Sequence, residues 1–343
     1  MNLEQFGWNS FFEDQGATGV RGRVASSNHG VFLVWTEAGE VEASVSGILR
    51  KASGLWPAVG DWVVLREDTH AIVKVLTRQT KLSRKQPERE VREQVLAANI
   101  DVLFIVSGLD RDYNERRIER YLVMANESGA RPVVLLNKAD LAPELGLDLD
   151  DVVDRVREMC PGMTVLPLSA LSEHGLDALP AELKPGQTAA LIGSSGVGKS
   201  TILNRLLGDE RQRTTPVRAA DSRGRHTTVG RQIFLMPEGW LLMDMPGLRE
   251  IQLWTSTERV EDSFDDIQRL AETCRFRDCK HLAEPGCAVV AAGIAPGRLA
   301  NYMKMVREVT TLDSRAGPRS TPKAPVKGRA SGKPARGHAK DED

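Results

Sequence analysis

The sequence predicts a multidomain chain: a small β-barrel, then an α/β unit built on a mostly parallel sheet, then a helical segment and an unstructured basic tail. Three observations predict this order. Short apolar runs punctuated by Gly, Asn and Asp fill residues 18–85. Runs apolar on both faces, separated by helical stretches, fill residues 99–249, and beyond them apolar residues recur at helical spacing around a cysteine cluster. The boundaries follow as a lead-in over 1–17, a barrel over 18–90, the α/β unit over 91–252, the helical unit over 253–313 and the tail over 314–343.

The barrel strands are expected at Gly22–Val24, Val31–Val34, Val41–Val45, Trp62–Leu65 and Ala71–Leu76, with turns at Asn28-His29-Gly30 and Gly60-Asp61. Five short strands in so few residues suit an OB-fold, and an SH3-like barrel fits almost as well. Such barrels bind RNA or serve as protein interfaces. Met1-Asn2-Leu3-Glu4-Gln5-Phe6 has neither the basic nor the apolar part of a signal peptide, and no run reaches the roughly 20 apolar residues of a membrane span. A cytoplasmic protein is expected, in which the four cysteines need a reading other than disulfides.

The α/β strands are expected at Val102–Val106, Val133–Leu136, Val165–Leu168, Ala189–Ile192, Gln232–Met236 and Trp240–Met243, with a helix over Glu115–Ser128. Gly193-Ser194-Ser195-Gly196-Val197-Gly198-Lys199-Ser200 follows one strand, and Thr201 continues into a helix. That is the context of a phosphate-binding P-loop, whose glycines let backbone N–H groups approach phosphates closely. Lys199 would bridge the β- and γ-phosphates and the Ser200 hydroxyl would ligate Mg²⁺. Asp244-Met245-Pro246-Gly247 also ends a strand; the carboxylate suits Mg²⁺ and the Gly247 N–H a γ-phosphate.

Asn137-Lys138-Ala139-Asp140 closes a third strand, and the Asp140 carboxylate can accept both N1–H and N2–H₂ of guanine, a donor pair that adenine lacks. Ser169 and Ala170, at the next strand end, suit the backbone contact to guanine O6. The guanine-reading segment precedes the P-loop, the reverse of the usual GTPase order, so a circularly permuted G domain is expected. Between P-loop and Asp244 lies a charged segment, 209–230, suited to ordering by a γ-phosphate. In it Thr228, or alternatively Thr227, would close over Mg²⁺. Leu248 occupies the place where many G domains carry glutamine, which leaves His226 as the polar candidate for positioning water.

The helical unit opens on a capping box, Thr255-Ser256-Thr257-Glu258, followed by Val260, Phe264, Ile267 and Leu270 at helical spacing. A second helix is expected from Pro296, burying Leu299, Tyr302, Val306 and Val309. Between them Cys274, Cys279, His281 and Cys287 follow the pattern C-x4-C-x-H-x5-C, a closed structural zinc set. Cys160 stands apart as a plain thiol. From Ser314 onward eight Lys/Arg face three Asp/Glu, a charge of +5 that leaves −6 on residues 1–313. This tail is too poor in apolar residues to fold, and RNA is one partner its charge suits.

Together with Pro57-Ala58-Val59-Gly60-Asp61-Trp62-Val63 and Arg225-His226-Thr227-Thr228, these motifs in this order resemble the ribosome small-subunit-dependent GTPase A family, over nearly the whole ordered chain. The resemblance implies an OB-fold, a permuted G domain and one structural zinc. It also implies slow GTP hydrolysis stimulated by the small (30S) subunit, docking on its rRNA and a catalytic role for His226; a monomer is expected. The rival readings are an RNA-binding scaffold with incidental hydrolysis and a P-loop ATPase or kinase; the latter is disfavoured by Asn137–Asp140.

Overall fold

The protein is described from a computed structural model, which defines residues 1–51, 56–86, 93–159, 161–208, 231–245, 253–282 and 284–315. The lead-in carries a 3₁₀ turn over Leu3–Phe6 and one short α-helix, α1 (Ser10–Glu13), capped by the Asn9 side chain. Its role has no sequence signal. In the structure Phe12 is fully buried, and Trp8 packs edge-on against the buried Trp62 with ring centroids 4.8 Å apart. These residues close one end of the barrel.

The barrel contains β1 (Val20–Asn28), β2 (Val31–Thr36), β3 (Gly39–Ser44), the helix α2 (Gly47–Lys51), β4 (Trp62–Leu65) and β5 (Ile72–Val75). Antiparallel pairs join β1 to β2, β2 to β3, β1 to β4 and β4 to β5. A single parallel bridge, Val45 to Ile72, closes β3 toward β5. Each of the five expected strands is present. The Pro57–Val63 motif forms a corner held by Asp61, which is fully buried, accepts from the Ala58 amide and pairs with both Nε and Nη2 of Arg78, all at 2.7 Å.

A hairpin of β6 (Lys81–Lys85) and β7 (Glu93–Ala98) follows and runs across the expected boundary at residue 90. Its charged, short strands lack the alternation that announces a sheet. The α/β unit comprises β8 (Val102–Gly108), α3 (Glu115–Ser128), β9 (Arg131–Asn137), α4 (Leu149–Met159), β10 (Thr164–Pro167), β11 (Thr188–Ile192), α5 (Lys199–Leu207), β12 (Arg231–Leu235) and β13 (Leu241–Asp244). The sheet order is β10-β9-β8-β11-β13-β12, parallel throughout except for β12. Alternate residues serve opposite faces. Leu103, Ile105, Val134 and Leu136 join a core with α3 and α4, while Phe104, Val106, Val133 and Leu135 join another with α5. Residues apolar on both faces are what such a doubly covered sheet requires.

Two features join the units. β12 pairs on its far side with β1, so one eleven-stranded sheet runs from the α/β unit into the barrel. Arg23 on β1, 1% exposed, donates to Thr188 Oγ1 at 2.8 Å, to Asn99 O at 3.0 Å and to Phe6 O. A cavity of about 520 Å³, lined in part by Trp8, Arg23, Trp62 and Asp101, lies at this junction, where the parallel strands start. It is therefore at the edge opposite their chemically interesting ends.

The helical unit contains α6 (Thr257–Asp262), α7 (Asp265–Ala271), α8 (Ala288–Ala291) and α9 (Pro296–Arg315). The single helix expected over Val260–Leu270 is split at Ser263–Phe264, and its cap is Ser256, which accepts from the Arg259 amide, one residue later than the expected box. Here α9 begins at Pro296 as expected. It lies against α3 through Arg120, which pairs with both carboxylate oxygens of Glu308 at 2.7 and 2.9 Å, and through Glu119, held by Arg298 and Asn301. Among the described residues, no helix is long and apolar enough to cross a membrane. The tail from 316, Cys160 and the segments 209–230 and 246–252 lie outside the described residues.

Candidate functional site

Parallel strands bring their C-terminal ends to one edge, and every described member of the expected nucleotide site sits there. β11 sits between β8 and β13, so the loop Gly193–Gly198 has Asn137, two strands away, on one side and Asp244 on the other. Gly193 and Gly198 have φ of +150° and +99°. A Cβ at Gly193 would lie 2.3 Å from the Val106 carbonyl oxygen, and one at Gly198 would lie 2.2 Å from Asn137 Nδ2. Only glycine allows this loop to pack so closely at these two points.

Asn137 is the bolt between the two distant motifs. Its buried amide donates from Nδ2 to Val197 O at 2.7 Å and accepts at Oδ1 from the Ala170 amide at 2.9 Å. The Asn137–Asp140 segment, the Gly193–Ser200 loop and the Ser169–Ala170 turn are thereby one structure. Lys138 reaches the same loop, its Nζ donating to Gly196 O at 2.7 Å and to Asp110 Oδ2 at 2.5 Å. Ala139 donates to Leu168 O at 3.0 Å, and the exposed Asp140 stands in the short 3₁₀ turn that follows.

Lys199 opens α5, and its ammonium donates to Gly193 O at 2.7 Å and Ser194 O at 2.6 Å. Burial lowers its pKa to about 8, against the attraction of the Asp244 carboxylate. A poorly solvated ammonium ringed by neutral carbonyls gains strongly from a polyphosphate. Ser195 and Gly196 are exposed at the rim, and Ser200 and Thr201 are exposed in the first turn of α5, where a helix N-terminus favours anions. Asp244 ends β13, beside β11. The Ser200 hydroxyl and the Asp244 carboxylate are oxygen donors of the kind that could hold Mg²⁺, and the anion-seeking turn could hold the phosphates of a nucleotide that carries it. Gly247, His226, Thr227 and Thr228 lie outside the described residues.

Two side chains reach the site without any sequence signal. Asp110, just past β8, holds Lys138, and the Tyr121 hydroxyl on α3 lies near Ser194. Burial pushes the Tyr121 pKa up, and the nearby Ser194 opposes this. Neither belongs to a local motif, because each meets the loop through space.

The cysteine set closes as the spacing predicts. Ligand atoms of Cys274, Cys279, His281 and Cys287 all lie within 4.8 Å of one another. His281 Nδ1 is 3.6 Å from Cys274 Sγ and 3.4 Å from Cys287 Sγ. The Glu284-Pro285-Gly286 turn returns the chain through Cys287 N to Glu284 O at 3.2 Å. At Cys279 the His281 amide favours the thiolate and desolvation opposes it, and the neighbouring Cys287 and Cys274 push the thiol up to about 11. Three sulfurs this close need a cation before all ionise, and three thiolates with one imidazole fit tetrahedral zinc.

Comparison with known proteins gives concordant findings. A family model described as RsgA GTPase matches residues 75–254. The chain is 45% identical, over 87% of its length and 81% of the relative's, to a Methanosarcina acetivorans protein named small ribosomal subunit biogenesis GTPase RsgA. It is 42% identical to the Opitutus terrae protein of that name, covering 93% and 92% of the two chains. The crystal structure of YjeQ from Thermotoga maritima superposes with a TM-score of 0.61 at 27% identity, over 85% of this chain and 98% of that one. YloQ, described as a circularly permuted GTPase, superposes at 0.57 with 23% identity, over 87% and 96%, a likeness of fold.

Proposed function

The chain belongs to the RsgA GTPase family, whose members are GTP-hydrolysing enzymes, and from that premise we propose that it binds the small (30S) ribosomal subunit and couples GTP hydrolysis to late subunit maturation and to its own release. The observation that carries the nucleotide reading is the Asn137 amide, which ties Val197 of the P-loop to Ala170 in spite of the reversed motif order. The relatives' printed names carry the ribosomal half.

In this reading Asp140 selects guanine, with Ser169 and Ala170 presenting backbone to the base edge. The P-loop N–H groups, the α5 N-terminus and Lys199 hold the phosphates. Ser200, Asp244 and Thr228 would hold Mg²⁺, which when bound offsets charge on the β- and γ-phosphates. His226 orients water, and the Gly247 N–H senses the γ-phosphate. The five-stranded barrel is assigned as an OB-fold that meets rRNA, supported by the closing Val45–Ile72 bridge. The helical unit is assigned one structural zinc, on Cys274, Cys279, His281 and Cys287. The working protein is a cytoplasmic monomer cycling between GTP and GDP.

The test is the GTPase rate of the full chain with added small subunits, large subunits or free rRNA. A rise of about tenfold or more with small subunits alone is expected, the scale on which a partner takes about 1.4 kcal/mol or more off the barrier. Equal rates with each of the three additions and for the chain alone would remove the ribosomal coupling and leave the GTPase.

A further inference from the structure

We propose that Asp110 is a positioning residue for guanine-nucleotide binding, acting by fixing Lys138 against the P-loop. The proposal rests on reading Asn137–Asp140 as the guanine-binding segment. Sheet order supplies the reason such a residue is needed. Lys138 leaves the end of β9, while Gly196 belongs to the loop after β11, and β8 lies between them. The lysine must therefore span two strand spacings, roughly 10 Å, with a flexible stem. Asp110 stands just past the end of β8, at mid-span, and its Oδ2 takes the ammonium at 2.5 Å while Gly196 O takes it at 2.7 Å.

Asp110 is itself held in place. Its Oδ1 accepts from the Asp112 amide at 2.9 Å, and its backbone oxygen accepts from Tyr113 N at 2.9 Å. Leu109 N donates to Asn137 O at 2.7 Å, which ties this loop to the segment it serves. The carboxylate folds back over Gly108, where a Cβ would lie 3.3 Å from Oδ2. At Lys138 the backbone has φ +64°, a left-handed conformation that a lysine keeps only when its surroundings enforce it. The charged pair provides that enforcement on one side and the P-loop carbonyl on the other. Burial pushes the Asp110 carboxyl pKa up, but Lys138 and the Asp112 amide outweigh it and hold the group ionised. With the ammonium fixed at two points, the lysine stem is a rigid floor beside Asp140, and the loop at Gly196 keeps one conformation before nucleotide arrives.

A double-mutant cycle on the full-length protein, read by the Kd for the fluorescent probe mant-GDP, tests this. Asp110→Ala should weaken binding about tenfold, the loss of one charge-assisted hydrogen bond, with kcat at saturating GTP within about twofold of wild type. Asp110→Asn, which keeps an acceptor and loses the charge, should fall between, and it carries the cycle should Asp110→Ala fail to fold. Lys138→Ala should weaken binding at least as much, and adding the Asp110 change to it should cost nothing more. Unchanged affinity in both Asp110 variants, or losses that add in the double variant, overturns the role of Asp110. Normal mant-GDP binding by Lys138→Ala overturns the guanine-segment reading itself, and the proposal with it.

Discussion

At Asn137 one amide group makes two bonds, to Val197 O and from Ala170 N, that join segments 33 and 60 residues away. Gly198 exists in contact with that amide, so the pair is a residue-scale test of the site. Gly198→Ala must place a methyl 2.2 Å from Asn137 Nδ2 at a φ of +99°. Backbone strain of about 1–3 kcal/mol and displacement of the amide should weaken GDP binding tenfold or more, measured by fluorescence titration, and lower the melting temperature by several degrees. The motif residues were legible because each motif has a fixed local spacing: Asn137 to Asp140, Gly193 to Ser200, and the four zinc-ligand candidates. Asp110 and Tyr121 were not, since Asp110 sits in an ordinary polar loop and Tyr121 occupies a helix position that reads as core.

Among elements, the strands of the parallel sheet were readable from unbroken apolar runs, and α3 from the helical stretch Glu115–Ser128 between two of them. The split between α6 and α7 was not, because Val260, Phe264 and Ile267 are all buried and so keep helical spacing across the break. The hairpin β6–β7 was missed for the opposite reason: residues such as Lys81 and Glu93, 2.6 Å apart across it, give no apolar alternation. The cysteine loop between α7 and α8 has little apolar surface of its own, with Phe276 and Leu282 exposed. Its order should depend on metal. A strong chelator, or Cys279→Ala, should expose residues 272–288 to proteolysis and release about one zinc per chain, a structural set holding one ion. GDP affinity should stay within about threefold, because losses at distant sites with no shared partner are nearly independent. Intact protection in metal-free protein would refute the zinc assignment.

For the molecule as a whole, the least legible feature is the junction between barrel and α/β unit. The first half of β1 pairs with β4 and the second half turns to β12, with a register shift after Val24. Long-range pairing of this kind leaves no local trace in either strand. Arg23 lies at the same junction, and burial lowers its pKa to about 10 against the pull of Asp101 and Asp61. Arg23→Met would strand the acceptors at Phe6, Asn99 and Thr188, costing about 3 kcal/mol or more. Calorimetry should then show barrel and α/β unit melting separately where the parent protein melts as one. On the other side, α3 carries Tyr121 near Ser194 and Glu119 and Arg120 against α9, so the candidate nucleotide site and the helical unit share one element. All of this presumes that the transposed motifs form one guanine-nucleotide site. Isothermal titration of the full chain with GDP and with ADP tests that most directly. The account predicts GDP binding at least about 100-fold tighter than ADP, the discrimination expected when the Asp140 carboxylate loses its two donors; equal affinities for the two would contradict it.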